Sequence, residues 1–290
     1  MRKKIAILFH ENERKGKNRY AVNYFADIWK NDGHEVIFLF GIKKFVPADL
    51  LILQVNLSVI PVDYREFAKQ YPIVLNAEVN DIRKSSFSSN LLTVDSHYEG
   101  KVIVKSNLNC DGSKEQKLLR DKSQRKSLVR RISPAFFYPS VVPPVSDENS
   151  PKGFWIYEHP RLVPPDYFKN PALVVEKFLP EVESGLYFLQ KCHFLGDRMT
   201  VTRAGAKDPI VKFYSSTRED SVEPPPEIKR LIKAMKFDYG IFEYVIHQGN
   251  ISLVDINWCI GPGKVSLTPQ QKVRYQYLAE GIYSYFKTPR

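Results

Sequence analysis

Phe242-Glu243-Tyr244-Val245-Ile246-His247-Gln248-Gly249-Asn250-Ile251-Ser252-Leu253-Val254-Asp255-Ile256-Asn257 is the stretch from which this chain is best worked outward. Two β-prone runs flank Gln248-Gly249-Asn250, a turn signal, so the segment reads as a hairpin. Folded about Gly249, position 243 lies opposite position 255, and opposed residues on one face sit about 5 Å apart between Cβ atoms. Asn257 follows Asp255 by two and shares its face. One ribbon therefore gathers two carboxylates and a carboxamide. Carboxylates that close repel each other unless a cation lies between them. Hard oxygen ligands of this kind suit Mg²⁺, which keeps waters and takes phosphate oxygens as further ligands. Gly261-Pro262-Gly263 follows as a tight turn that would pin the strand end.

Upstream, residues 1–95 alternate between strand and helix signals. Lys4–His10, His34–Phe40, Asp49–Val55 and Pro72–Ala77 read as strands. Arg19–Asn31, with Val22, Phe25, Ile28 and Trp29 at helical spacing, and Val62–Gln70 read as helices, the first stopped by Gly33. Such alternation implies a parallel sheet covered by helices. The first strand runs into His-Glu-Asn-Glu-Arg-Lys-Gly, not a glycine fingerprint, so a dinucleotide site has no support.

After a strand ending at Lys105, the basic segment Lys114–Ile132 reads as partly helical, and Pro139–Pro151 as a connector. From Phe154 the strands read as antiparallel: Leu173–Leu179, Leu186–Phe194, Met199–Arg203 and Ile210–Tyr214. A helix Glu227–Met235 follows, then the strands Gly240–His247 and Asn250–Ile256, then a closing helix Gln271–Phe286. The fold class is α/β, turning α+β in the C-terminal part.

The 290 residues are 43% apolar, enough for a sizeable core. Three scattered cysteines exclude a disulfide framework, and no His/Cys spacing suggests zinc. Cys259 reads as a buried thiol. No run is apolar over a membrane-spanning length, and the N-terminal run is too short for a signal peptide, so the expected location is cytoplasmic. A net charge of +11 admits anionic partners. Residues Lys101–Arg131 hold ten Lys or Arg against three acids, either a solvated loop or an arm over an anionic substrate. No nucleic-acid module is recognisable.

The hairpin resembles the ATP-grasp superfamily, whose signature is a carboxylate on one strand, a turn, then Glu-x-Asn on the next, often with a following Pro-Gly. Glu243, Asp255 and Asn257 hold those positions. Their spacing matches the biotin carboxylase branch. Asp255 departs from the usual Glu, and Asp-x-Asn also occurs in the inositol phosphate kinase branch. Leu173-Val174-Val175-Glu176-Lys177-Phe178-Leu179-Pro180 is similar to the segment that links the two ATP-grasp subdomains and whose backbone reads adenine. The resemblance thus implies nucleotide contacts from Glu176, Lys177, Phe178 and Leu179, and a ribose contact from Glu183, with Glu181 as the other choice. Val102-Ile103-Val104-Lys105 before a loop with the single glycine Gly112, and Lys84 in Asp81-Ile82-Arg83-Lys84-Ser85, resemble the family's ATP-contacting lysines. Lys212 resembles a lysine directed at the γ-phosphate, and Arg203 would hold an acyl substrate.

The resemblance spans about Ile82 to Gly263. It implies a pre-ATP-grasp α/β domain over residues 1–95 and an ATP-grasp core over 96–290, with a lid at about 96–175 and a C-terminal subdomain at about 176–290 that clasp ATP and Mg²⁺. The implied activity is a ligase that turns a carboxylate into an acylphosphate and joins it to an amine or other nucleophile. The substrates would be small molecules or peptides, with neither nucleic acid nor membrane as partner and a homodimer left open. A kinase acting on a hydroxyl of an anionic small molecule, or a non-catalytic nucleotide-binding module, are the alternatives.

Overall fold

Lys4–Phe9 (β1) is Lys-Ile-Ala-Ile-Leu-Phe, buried at every residue after the first. A strand apolar on both faces must lie inside a covered parallel sheet. It does: β1 pairs in parallel with Glu35–Phe40 (β2) and with Leu50–Gln54 (β3), and Val74–Leu75 (β4) pairs in parallel with β3. Val22–Asn31 (α1) buries Phe25, Ile28 and Trp29 in the same core. Gly33, at φ +88°, ends α1: its N–H donates to Lys30 O at 3.0 Å, and the His34 N–H to Trp29 O at 2.9 Å. This pair of reverse bonds satisfies carbonyls the helix leaves open. Val62–Ala68 (α2) and the short Lys84–Phe87 (α3) complete this part. The computed structural model describes residues 2–14, 17–118, 153–261 and 267–286.

Val102–Ser106 (β5), Phe154–Tyr157 (β6) and Leu173–Lys177 (β7) form a separate antiparallel sheet in the order β6-β5-β7. It has its own small core of Val102, Val104, Val163, Leu173 and Val175, roofed by Pro165–Lys169 (α4). The largest sheet has six strands. Glu181–Glu183 (β8) pairs with Leu186–Leu195 (β9), which also pairs with Arg198–Ala206 (β10) and Tyr239–His247 (β12). Arg218–Val222 (β11) and Asn250–Asn257 (β13) are the edges. Pro226–Ala234 (α5) packs Ile228 and Ile232 into the main core, and Pro269–Ala279 (α6) packs on β9 and β10.

The large sheet and the parallel sheet share one apolar core. Trp29 Nε1 donates to Ala279 O at 2.9 Å, and the Ala21 N–H donates to Ile260 O at 2.8 Å. Asn76, at φ 61°, accepts from the Asp238 and Tyr239 N–H groups at 2.8 and 3.1 Å and donates to Tyr239 O at 2.7 Å.

Two expectations need correction. Ile210–Tyr214 is not a strand. Asp208 Oδ1 accepts from the Ile210 N–H at 2.7 Å, and a 3₁₀ turn follows at Phe213–Ser215. The apolar residues that suggested a strand, Val211 and Phe213, pack instead on the sheet face against Leu189, Ala204 and Val245. The edge strand is β11, a few residues later. The closing helix also stops early, at Ala279, and continues as a 3₁₀ turn over Glu280–Tyr285. Gly281 crosses β9 so closely that a Cβ there would lie 1.8 Å from Leu195 O. Residues 113–118 are helical; the rest of the expected helix to Ile132, the Pro139–Pro151 connector, and Pro262 and Gly263 lie outside the described residues. Among the described residues no helix is long and apolar enough to cross a membrane.

Asn76→Ala is expected to cost about 3 kcal/mol, from three buried hydrogen bonds at about 1 kcal/mol each, read as a lower denaturant midpoint at unchanged slope. A second expectation concerns His193, buried on β9. Burial, then the Arg274 and Lys191 charges, hold its ring well below the ordinary histidine value of 6.5. The unfolded chain takes up a proton there that the folded chain refuses, so stability falls as pH drops below about 6.5, by up to about 1.4 kcal/mol per pH unit. Denaturation of His193→Leu across pH 5–7.5 should show a shallower fall than the parent protein.

Candidate functional site

Gln248 and Gly249 have φ of 49° and 79°, a two-residue turn of the kind whose twist matches a hairpin. From that turn alone, the pairs His247–Asn250 through Tyr244–Leu253 would continue to Glu243–Val254. The register shifts there, and Glu243 faces Asp255 instead. Val254 is the extra residue of a β-bulge. Bulges re-aim side chains, and this one exchanges a valine for a carboxylate opposite Glu243. Lys105 Nζ donates to Val254 O at 2.9 Å, so the small sheet ties down the bulge itself.

Between the three-stranded and six-stranded sheets lies a cavity of about 430 Å³. Its walls hold Lys84, Lys105, Glu176, Lys177, Phe178 and Leu179 of the expected nucleotide residues, and Lys212, Glu243 and Asp255. Three lysines are each matched to an acid. Lys105 Nζ lies 2.7 Å from Glu176 Oε2, both side chains under 5% exposed. Lys84 Nζ is 3.3 Å from Asp255 Oδ1, and Lys191 Nζ is 2.7 Å from Glu243 Oε1. Lys177 and Lys212 have no ion-pair partner among the described residues. Lys177 Nζ lies 5.3 Å over the Tyr98 ring, and Lys212 Nζ lies 5.6 and 5.9 Å over Phe154 and Tyr214. The lining thus carries five lysines against four carboxylates, and its unmatched charge is cationic.

Asn257 stands beside Asp255: its Nδ2 is 3.4 Å from Asp255 Oδ2, and its Oδ1 accepts from Asn109 Nδ2 at 2.9 Å. Asp255 Oδ1 is buried and, apart from the Lys84 charge, has no hydrogen-bond donor; Glu176 Oε1 is likewise buried without one. Buried acceptors left open are costly. Two carboxylates and an amide oxygen, with one carboxylate oxygen open, suit a hard divalent cation. Among the described residues, no group of three His, Cys, Asp or Glu side chains is placed to hold a metal ion.

Arg203, Glu183 and Glu181 do not join this group. Arg203 pairs with Gln190 on β9, whereas Glu243 pairs with Lys191, one residue further on. Alternation along a strand therefore puts Arg203 on the opposite face of the sheet. There its Nε is 2.7 Å from Glu181 Oε1, its Nη2 is 2.6 Å from Glu183 Oε2, and its guanidinium lies 3.5 Å over Phe188. Glu181 also accepts from the Ile246 N–H at 2.8 Å. These groups fasten β8 to the sheet. Cys259 is buried, and burial raises its thiol well above the ordinary value, which leaves it unreactive.

Two site residues escaped the sequence reading. Lys191 is the one cation inside Leu186–Leu195, a strand with buried apolar residues on either side of it. A charge in such a run is itself a signal, because it must find a partner. Asn109 donates to Ile256 O at 2.8 Å and to Asn257 Oδ1, clamping the end of β13.

No protein-family model and no curated relative matches the sequence. Solved structures do. A RimK domain protein of ATP-grasp type from Sphaerobacter thermophilus matches over 97% of this chain and 99% of its own, with TM-score 0.50 and 10% identity. D-alanyl-alanine synthetase A from Vibrio cholerae matches with TM-score 0.49 and 11% identity, over 97% and 98% of the two chains. D-alanine–D-alanine ligase from Bacillus anthracis, solved in complex with ATP, matches with TM-score 0.48 and 12% identity, over 97% and 96%. The chain has an ATP-grasp fold.

Breaking a buried ion pair on one side strands the other charge, at about 3–5 kcal/mol. Glu176→Leu is expected to destabilise the protein by that much, and Lys105→Met added to it should restore most of the loss. Chemical denaturation of the single and double variants reads both numbers.

Proposed function

We propose that this ATP-grasp fold binds ATP with Mg²⁺ between its two antiparallel sheets and uses it to activate a carboxylate for ligation. The observation that carries the reading is the pair Glu243 and Asp255, set opposite each other by a bulge at the wall of a cavity, with Asn257 alongside.

The cavity supports a nucleotide from both ends. At one end the chain Glu176–Leu179 runs extended. The Lys177 and Phe178 N–H groups are used, bonding Asn90 O and Lys101 O, but among the described residues the Leu179 N–H has no partner. A free backbone donor can serve a purine edge, with Phe178, Leu189, Val211 and Leu253 as apolar walls. At the other end, Lys84, Lys105 and Lys191 are fixed by their acids, and Lys212 waits on the loop above. Charges held in place before the reaction stabilise a phosphoryl group in transfer without reorganising. Glu243, Asp255 and Asn257 would hold Mg²⁺, which when bound polarises the phosphate oxygens. The three-stranded sheet, with its separate small core, would serve as the lid.

In the proposed reaction a substrate carboxylate oxygen attacks the γ-phosphorus and ADP leaves. An amine or other nucleophile then attacks the acyl carbon, loses its proton and expels phosphate. Asp255→Ala and Glu243→Ala are each expected to lower ADP release by about 10²–10³-fold or more, with circular dichroism unchanged and a melting point lowered by the lysine left without its acid. Undiminished ADP release in either variant sinks the assignment. ADP formed without inorganic phosphate would mark a kinase, and Mg-ATP binding without turnover a non-catalytic module.

A further inference from the structure

Asn109 stands where three parts of the molecule meet. It follows β5 by three residues and precedes a reversal in which Cys110, Asp111 and Gly112 have left-handed φ of 49°, 52° and 67°. Its N–H donates to Ser58 Oγ at 3.0 Å, on the chain that leaves β3, and Ser58 is buried. Two residues earlier, the Asn107 carbonyl and Oδ1 accept from the Lys84 and Ser85 N–H groups, both at 3.0 Å. The same loop therefore fixes the start of α3 and the end of β13.

Four side chains from these elements close a ring. Lys84 Nζ is 3.4 Å from Asn109 Oδ1, and Asn109 Nδ2 donates to Asn257 Oδ1 at 2.9 Å. Asn257 Nδ2 is 3.4 Å from Asp255 Oδ2, and Asp255 Oδ1 is 3.3 Å from Lys84 Nζ. The polarity of the ring has one solution. The Lys84 ammonium can only donate, and Ile256 O, 2.8 Å from Asn109 Nδ2, can only accept. The Asn109 oxygen must then face Lys84, and its NH₂ must face β13. The second hydrogen of that NH₂ requires an acceptor, which turns the Asn257 oxygen toward it. Asn109 thus decides which way the Asn257 carboxamide points.

The bond lengths separate a firm half from a loose half. The two bonds from Asn109 Nδ2 are 2.8 and 2.9 Å, whereas the two contacts that end on Asp255 are 3.3 and 3.4 Å, beyond the usual range. The carboxamide is clamped, and the carboxylate can exchange its ammonium for a cation. Asn109 itself is buried behind the cavity wall that its neighbours Cys110 and Asp111 help to form.

We infer that Asn109 is a positioning residue for the metal site, acting through Asn257. It takes one acceptor position of Asn257 Oδ1 and leaves the other for the cation. The inference rests on the Mg-ATP reading of the cavity. Partners that orient a metal ligand from behind commonly govern about 10–100-fold in metal affinity.

The test compares the full chain with Asn109→Ala, Asn257→Ala and the double variant, with Asn109→Ser in place of Asn109→Ala should that variant fold poorly. Asn76→Ala, far from the cavity wall, is the control for lost stability. Electron paramagnetic resonance reads the affinity for Mn²⁺ in the presence of a non-hydrolysable ATP analogue, and calorimetry reads the analogue alone. Asn109→Ala is expected to weaken Mn²⁺ by about 10–100-fold while affinity for the analogue alone changes less than twofold. The double variant should lose no more than Asn257→Ala does, because residues that act as a unit are not additive. Parental Mn²⁺ affinity in Asn109→Ala overturns the inference, as does an equal loss in Asn76→Ala. A double variant whose loss is the sum of the two single losses also overturns it, since Asn109 would then act independently of Asn257. A parent protein that binds no Mn²⁺ with the analogue sinks the Mg-ATP reading, and this inference with it.

Discussion

The structure depends on where one extra residue sits in a strand. Val254 bulges out of the β12–β13 ladder, and only because it does so is Asp255 opposite Glu243. A bulge is a local weakness, since its backbone groups lose their ladder partners. Here the lost partner is replaced by a lysine: Lys105 Nζ bonds Val254 O. The same ammonium is held by Glu176 on the neighbouring strand of the small sheet. One buried lysine thus joins the two sheets at the point where the register of the site is decided.

Charge matching runs through the rest of the site. Lys84 with Asp255, Lys191 with Glu243 and Lys105 with Glu176 neutralise three acids that would otherwise repel each other. Buried pairs of this type add little net stability, because desolvation offsets the attraction. Their presence in one cavity is better explained by what the charges do when an anion and a cation enter together. A divalent cation would compete with lysine for the carboxylates, and phosphate would compete with carboxylate for the lysines. Three of the five lysines are matched without ligand, and the unmatched positive charge has the sign to meet an anion.

Much of this was legible in the sequence, for reasons that differ by element. β1 to β4 alternate with helical stretches such as Arg19–Asn31, so a covered parallel sheet was readable from the order of the elements. The hairpin was readable from Gln248-Gly249 and the two runs around it, although the pairing of Glu243 with Asp255 came from centring the turn on Gly249, while the chain achieves it through a bulge. Arg203 could not be excluded beforehand. Its face depends on the register between β9 and β10, which no single strand encodes. Ile210–Tyr214 looked like a strand because its apolar residues are needed on a sheet face, and a crossing loop meets that need as well as a ladder does. Lys191 was visible as a charge inside an apolar run, but its partner lies on another strand.

The central claim is that Glu243 and Asp255 share a divalent cation with a bound triphosphate. Crystals grown with Mn²⁺ and a non-hydrolysable ATP analogue test it directly through the anomalous signal of manganese. The account predicts a peak within coordination distance of both carboxylates and of phosphate oxygens, with the base beside Leu179. Nucleotide density elsewhere on the chain, or manganese that touches neither acid, would contradict it.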